Sequence, residues 1–400
     1  MKIVSSLLVA TTFCLSGLSL EATMKYERFE ADPSQFDKPT TIKVLLDKGE
    51  NSPLLEVKGP YMVYDAKSGF RVSSGSNPKR DFVTYDAKGL KWGHSMNGAS
   101  QIRIVPSDIE TTIVLNGTQY RGCIEIYNVN GKFLVINETD METYLKSTLN
   151  TQFSDEVEEE TMEAVAVAAR TMGYFLVSRS PYAKWHVEAK DVGYQGYGAT
   201  LQNLMVDRAI DNTRHVIMTY KDAPFATAWT RNCAGKTADF TALYRKNINA
   251  PKGVEIPMAQ SEKEQLRWTH TISKKEMAKS LDLKAISSLD LFVDKASAKV
   301  YGVRIIDGDQ ARTLDFIAFQ KKLGEKKIRS SDFTVSMKGD SIVFTGYGDG
   351  PGVGLCLYTA NKMAEKGEKA PKILSTFFPE TKIEKTRNLP APGAKVDKTK

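Results

Sequence analysis

The chain has 400 residues, of which 26% are charged and 41% hydrophobic, with a formal net charge of +7. That length supports more than one compact core, and those fractions are ordinary for a folded protein, which excludes wholesale disorder. The mild basic excess suits an anionic surface, but no long Arg/Lys block with interleaved aromatics is present, so a nucleic-acid partner is not expected.

Lys2 is the only charge before Glu21, and residues 3–20 are apolar or small, with Gly17 and Ser19 at the spacing a signal peptidase uses. Residues 1–20 therefore read as an export signal, which places the mature chain in a periplasm or at a cell wall. A membrane anchor competes with this reading, because the run approaches bilayer-spanning length. Its Ser, Thr and Gly content favours cleavage. Phe13 before Cys14 argues against lipidation, and no later segment is apolar enough to cross a membrane. Removing the signal leaves Cys123, Cys233 and Cys356. None stands in a CxxC pair, so neither a metal nor another cofactor is expected. An exported chain with this set can hold one disulfide and one free thiol.

The first mature stretch reads as β, with short runs at 42–46, 54–57 and 61–64 closed by the turn at Lys67-Ser68-Gly69. Asn116-Gly117 and Asn130-Gly131 each separate two strand-like segments. Asn-Gly marks a type I′ hairpin, because both central residues need positive φ. The period then becomes helical. A short helical turn is expected at 141–145, and Ser154 can cap a helix whose body is 162–176. The acidic residues Asp155, Glu156, Glu158, Glu159 and Glu160 crowd its positive end. Ala164, Val165, Ala166, Val167, Ala168 and Ala169 make this helix apolar nearly all round, so it belongs in the centre of a core.

After Pro181 comes the Gly- and Tyr-rich loop 194–198, then a helix near 201–211. Strands at 216–220 and 225–229 flank a polar turn at Lys221-Asp222. Residues 247–264 read as a long loop. Further strands are expected at 268–272, 300–306, 332–337 and 342–345, with helices at 274–280 and 316–323. A glycine-rich loop at 346–354 feeds a last helix ending near Gly367. Strands and helices come in blocks, so the fold class is α+β.

Five motifs in this order carry a family resemblance, the first made of a lead-in and the helix that follows it. Asn137 to Leu145 resembles an Asn-x-x-x-x-Glu-x-Tyr-Leu lead-in. Glu163-Ala164-Val165-Ala166-Val167-Ala168-Ala169-Arg170-Thr171 is similar to a Glu-Ala-x-x-Ala-x-Ala-Ala-Arg-Thr helix. Gln195-Gly196-Tyr197-Gly198 resembles Gln-x-Tyr-x-Gly. Cys233-Ala234-Gly235-Lys236-Thr237 is similar to Ser-Gly-Gly-Lys/Arg-Thr, and Arg329-Ser330-Ser331-Asp332-Phe333 to Arg-Ser-Thr-x-Phe. The stretch 346–356 resembles a Gly-x-Gly-His-Gly-Val-Gly-Met loop. Together they identify the chain as a member of the SpoIID/LytB (amidase enhancer) family. The expected organisation is a signal at 1–20, a family-like region over 21–385 and a disordered basic tail at 386–400. The family-like region divides into a β-rich part, 21–136, and a core with groove loops, 137–385. The resemblance implies a SpoIID-like fold around the central Ala/Val helix, with a substrate groove.

The family includes lytic transglycosylases that cleave peptidoglycan glycan strands, and enhancers of wall amidases. In cleaving members a Glu soon after Tyr-Leu protonates the glycosidic oxygen and then acts as a base. Here Gln152 stands at that place. An amide cannot deliver a proton, and general acid–base help is worth roughly 100- to 10,000-fold in rate. Binding of glycan strands should therefore outlast cleavage. Asp349, at the loop's usual His position, is the alternative acid; Asp155 is a weaker one. Tyr194, Tyr197, Trp229 and Tyr347 can stack on sugars, while Gln152, Gln195 and Lys236 can hydrogen-bond them. Expected partners are glycan strands and a cell-wall amidase. An active transglycosylase with a displaced acid, and an amidase-binding module, are the rival readings. Cys233 and Cys356 both fall in groove loops, where a disulfide and two packed free thiols both stay open.

Overall fold

The computed structural model describes residues 40–386, apart from 97, 154–156, 202, 245–247, 259 and 309. The signal reading, the tail beyond 386, Ser154, Asp155 and Glu156 lie outside the described residues. No helix among the described residues is long and apolar enough to cross a membrane. The described residues divide into two compact units, one within 40–153 and 176–214, the other within 157–175 and 215–386.

The first unit is built on two sheets. One is seven-stranded, in the order Val187–Glu188, Thr41–Gly49, Lys132–Asp140, Cys123–Val129, Gln101–Pro106, Tyr61–Asp65, Arg71–Gly75. Both Asn-Gly turns form. Asn116 and Gly117 have φ of 49° and 86°, and Leu115 pairs with Thr118 across them. Asn130 and Gly131 have φ of 53° and 81°, and Val129 pairs with Lys132. The second hairpin forms the centre of the seven-stranded sheet. The second sheet is six-stranded and includes strands that no apolar run announces, notably Lys79–Asp86 and Gly89–Trp92.

Register places a charged row across the seven-stranded sheet. Lys43 faces Glu138, and Glu125 faces Arg103. Arg103 donates to Glu138 at 2.6 Å and also to Glu125, while Lys43 reaches Glu125 at 3.2 Å. Burial alone would raise the Glu138 carboxyl, but Arg103 and Lys43 outweigh it and hold its pKa down to about 2.

Two helices come next in the chain. α1 spans Met141–Gln152, capped by the Asp140 side chain, which accepts from Thr143 N at 3.0 Å. It is much longer than the turn expected at 141–145. Its second half is polar, and its side chains return hydrogen bonds to the helix: Thr148 Oγ1 to Tyr144 O, Asn150 Nδ2 to Lys146 O, and Thr151 Oγ1 to Thr148 O. α2 spans Glu159–Arg179 and contains the expected Ala/Val body, with Ala164, Val165, Ala166 and Ala168 wholly buried.

In the second unit, the α2 segment anchors the strand Val216–Thr219 and the extended stretch after it. Arg170, with no solvent exposure, donates to Val216 O at 3.1 Å, and Thr171 Oγ1 accepts from Met218 N at 2.9 Å. Thr227 Oγ1 donates to Ala168 O at 2.6 Å. The expected 216–220/225–229 hairpin is corrected here. Lys221 and Asp222 do turn, with φ of 51° and 60°, but Val216–Thr219 pairs with Lys382–Lys385. Only Trp229–Thr230 is strand, pairing parallel to Leu355–Cys356. Residues 225–228 join no ladder. Two three-stranded sheets complete the unit: Arg267–Ser273, Ser341–Tyr347 and Asp332–Lys338, and Ser288–Val293, Val300–Asp307 and Gln310–Asp315.

The Glu138 carboxyl titrates below its unfolded value, so its stabilisation is present above about pH 4.5 and is lost as the pH falls toward about 2. Urea unfolding of wild type and Glu138→Gln should differ by about 3 kcal/mol at pH 7, and the gap should narrow steadily below pH 5. A pH-independent gap would contradict the ion-pair account.

Candidate functional site

The lead-in motif is mostly architecture. Asn137 is fully buried, and its Nδ2 donates to Arg121 O at 2.9 Å and Cys123 O at 3.0 Å. Its Oδ1 accepts the Tyr194 hydroxyl at 2.6 Å. The Tyr194 ring lies between Tyr120 and Tyr144, with centroids 6.2 Å and 6.0 Å away and both pairs stacked. Burial pushes the Tyr194 phenol far above its ordinary pKa, so it is a neutral donor. At 5% exposure Tyr194 is a core residue rather than the sugar platform expected of it.

α1 then holds the Gly/Tyr loop by side chains near its C-terminal end. Ser147 Oγ accepts from Gln195 N at 3.1 Å, Thr151 Oγ1 donates to Gly193 O at 2.9 Å, and Gln152 Nε2 donates to Val192 O at 3.2 Å. Ser147 and Thr151 are four apart, hence on one helix face. Gly196 is required by its φ of 78° and because a Cβ there would sit 2.5 Å from Gln119 O. The loop presents Gln195 to solvent and Tyr197 half-buried, with the Arg121 guanidinium 4.6 Å from the Tyr197 ring.

Gln152 itself is only 4% exposed. The expectation that it faces a sugar is therefore corrected in part: its amide nitrogen is engaged by a backbone carbonyl. That bond also explains the residue type. A carbonyl needs a donor, and an ionised carboxylate has none to give.

In the second unit the glycine-rich loop is stitched to the 229–238 segment. Asn232 and Asp349 exchange backbone hydrogen bonds at 2.9 Å each, Thr230 Oγ1 donates to Asp349 O at 2.8 Å, and Ala238 N donates to Gly352 O at 2.8 Å. Gly354, at φ 70°, lies so close to Ala228 O that any Cβ would collide with it. Asp349 Oδ2 is paired with Arg329 at 3.1 Å and Arg231 at 3.5 Å. The geometry uses Asp349 as an ion-pair acceptor.

Trp229 is 6% exposed and belongs to the core, which corrects its assignment as a stacking surface. Its strand neighbour in the ladder is Leu355. Lys236 keeps 43% of its side chain exposed and pairs with Glu255 at 3.2 Å. Tyr347 is half-buried, its hydroxyl donating to Glu264 at 3.3 Å, with Lys263 Nζ 4.9 Å from its ring. Sequence reasoning gave Arg231 and Arg329 no role, although Arg329 opens a quoted motif and Arg231 lies two residues before another. It also missed Lys299, which is 1% exposed and donates to Cys233 O at 2.8 Å and Asp332 at 2.9 Å. A lysine ahead of an apolar strand gives no sign that it will be buried. His186 accepts from Lys43 N through Nδ1 at 3.0 Å, and burial lowers its pKa to about 4.

The two units carry the motifs of one class of protein, with the lead-in and Gln-x-Tyr motifs in the first and the Arg-Ser and glycine-rich motifs in the second. The sequence profile described as "SpoIID: Stage II sporulation protein" matches residues 129–220. An uncharacterised protein of Brachyspira hyodysenteriae is 27% identical over 350 residues, covering 86% of this chain and 92% of that one. Stage II sporulation protein D of Bacillus subtilis is 24% identical over 62% of this chain and 75% of its own length. The amidase enhancer of the same organism is 22% identical over 71% of this chain, but over 47% of its own length. The chain belongs to the SpoIID/LytB family.

The Gln152–Val192 bond makes a clear forecast. Gln152→Glu should destabilise the protein by roughly 1–3 kcal/mol at pH 7, because a buried carboxylate then faces a carbonyl oxygen. The buried acid's folded pKa would be raised, so the deficit should shrink as the pH falls and the carboxyl regains a proton. Denaturation at pH 7 and pH 4 checks this, and an equal deficit at both would contradict the donor role.

Proposed function

We propose that this protein is an exported cell-wall factor that binds peptidoglycan glycan strands and has weak or no lytic transglycosylase activity. The observation that carries the reading is the amide at position 152, bonded to Val192 O where cleaving relatives are expected to hold a proton-donating carboxyl. Without that acid the chemistry is slowed by orders of magnitude, while the surfaces that would meet sugar remain.

Those surfaces are Gln195 with Tyr197 in one unit, and Lys236 with Tyr347 in the other. A half-exposed tyrosine ring offers an apolar face to a pyranose, and Gln or Lys supplies hydrogen bonds at its rim. Gln152 acts behind this surface by holding the loop that presents Gln195 and Tyr197. The Asp349 ion pairs disfavour the displaced-acid rival, since the carboxyl is already committed to Arg231 and Arg329. The likeness to a protein named amidase enhancer favours one second reading: a module that docks a wall amidase and needs no glycan.

Co-sedimentation with purified sacculi separates the two. The glycan reading expects the protein to pellet with intact sacculi and with sacculi stripped of stem peptides. Gln195→Ala combined with Tyr197→Ala should weaken pelleting about tenfold without lowering stability, as lost stacking of ~1 kcal/mol or more implies. A protein that stays in the supernatant with both preparations supports the amidase module instead.

A further inference from the structure

Cys123, Cys233 and Cys356 are all free thiols. Two of them meet. Cys233 and Cys356, 123 residues apart in sequence, are 2% and 0% exposed, and Cys356 Sγ accepts from Cys233 N at 3.3 Å. The two thiols also share a hydrogen bond, donated by Cys233. Cys356 is the N-cap residue of the nine-residue helix Leu357–Glu365. The Thr359 hydroxyl lies 3.6 Å from its sulfur. A sulfur so placed, at the positive end of a helix, is the one better suited to carry charge.

We propose that Cys233 and Cys356 are a dithiol built to close into a disulfide, with Cys356 as the attacking sulfur. The bond would join the 229–238 segment to the strand–helix junction that ends the glycine-rich loop. Each of these segments carries a family motif, so the cross-link would fix the loop bearing Asp349 relative to the one bearing Lys236.

Electrostatics agree with the geometry. Burial works against charge on Cys356, but the hydrogen bonds from the Cys233 thiol, the Thr359 and Cys233 backbone N–H groups and the Thr359 hydroxyl outweigh it and lower its pKa. The bond to Cys356, then burial, pushes Cys233 upward, so the shared proton rests on Cys233. Lys299 pins the Cys233 carbonyl at 2.8 Å and places a cation nearby.

The oxidant required is another disulfide, of a small molecule or a protein. The Cys356 thiolate attacks one of its sulfurs, a mixed disulfide forms and one thiolate leaves. Cys233 then loses its proton and attacks the Cys356 sulfur, expelling the second thiolate. Two thiols are oxidised by two electrons, one disulfide becomes two thiols, and the protons balance on the products. Because both sulfurs are buried, exchange waits on opening of the loop.

The test uses the full chain and oxidised glutathione, added to the reduced protein in water and in sub-denaturing urea. The products are alkylated in denaturant and mapped as peptides. A linked pair of peptides holding Cys233 and Cys356 is expected, formed faster in urea, with Cys123 still alkylated. The oxidised protein should melt several degrees higher than the reduced one, as closure of so long a loop implies. In Cys233→Ser the glutathione adduct should be trapped on Cys356. Complete alkylation of both cysteines after oxidant, a link to Cys123, or an adduct on Cys233 rather than Cys356 in the matched single variants would overturn the proposal. Mapping the wild type reads the bond whether or not the variants fold.

Discussion

The hydrogen bond from Gln152 Nε2 to Val192 O ties the end of α1 to the start of the Gly/Tyr loop. With the Thr151–Gly193 and Gln195–Ser147 bonds it makes a three-point hold that adds to the Tyr194–Asn137 bond. The hold works because residue 152 supplies a hydrogen. An ionised carboxylate at the same place would push against the carbonyl, so the side chain that removes the expected acid also suits the local packing. On the proposed function, weak cleavage chemistry and the hold on the Gly/Tyr loop would both follow from one residue type.

The same economy runs through the other motifs. Asn137 bridges two strand-end carbonyls and the Tyr194 hydroxyl, so it joins a sheet to the loop. Arg170 and Thr171 bind the backbone of Val216–Thr219. Ser330 donates to Tyr347 O at 2.6 Å and Ser331 to Pro351 O at 2.7 Å, which fixes both ends of the glycine-rich turn. The motif residues are mostly buried polar groups with satisfied partners, and such groups specify one backbone path because leaving them unpaired is costly.

Much of this was legible in the sequence. Asn116-Gly117 and Asn130-Gly131 announced their hairpins, since few other pairs accept two positive φ values. The Ala/Val run announced α2, and family membership could be read from the motif order. The second half of α1 could not be read: Ser147, Thr148, Asn150 and Thr151 are poor helix formers, and tertiary hydrogen bonds hold them. The pairing of Val216–Thr219 was not legible either, because its partner is the distant segment Lys382–Lys385. The site was half legible. Gln195, Tyr197, Lys236 and Tyr347 reach solvent, but Tyr194 and Trp229 do not, and an aromatic's burial depends on neighbours far away in sequence. The ion pairs on Asp349 were invisible for the same reason.

The central claim is that holding sugar chains has outlasted cutting them. Digesting sacculi with a muramidase after long incubation with the purified protein, and searching the muropeptides for 1,6-anhydro ends by mass spectrometry, tests it most directly. The account predicts no anhydro products above a protein-free control. Steady release of such ends, unchanged in Gln152→Ala and abolished in Asp349→Asn, would contradict it.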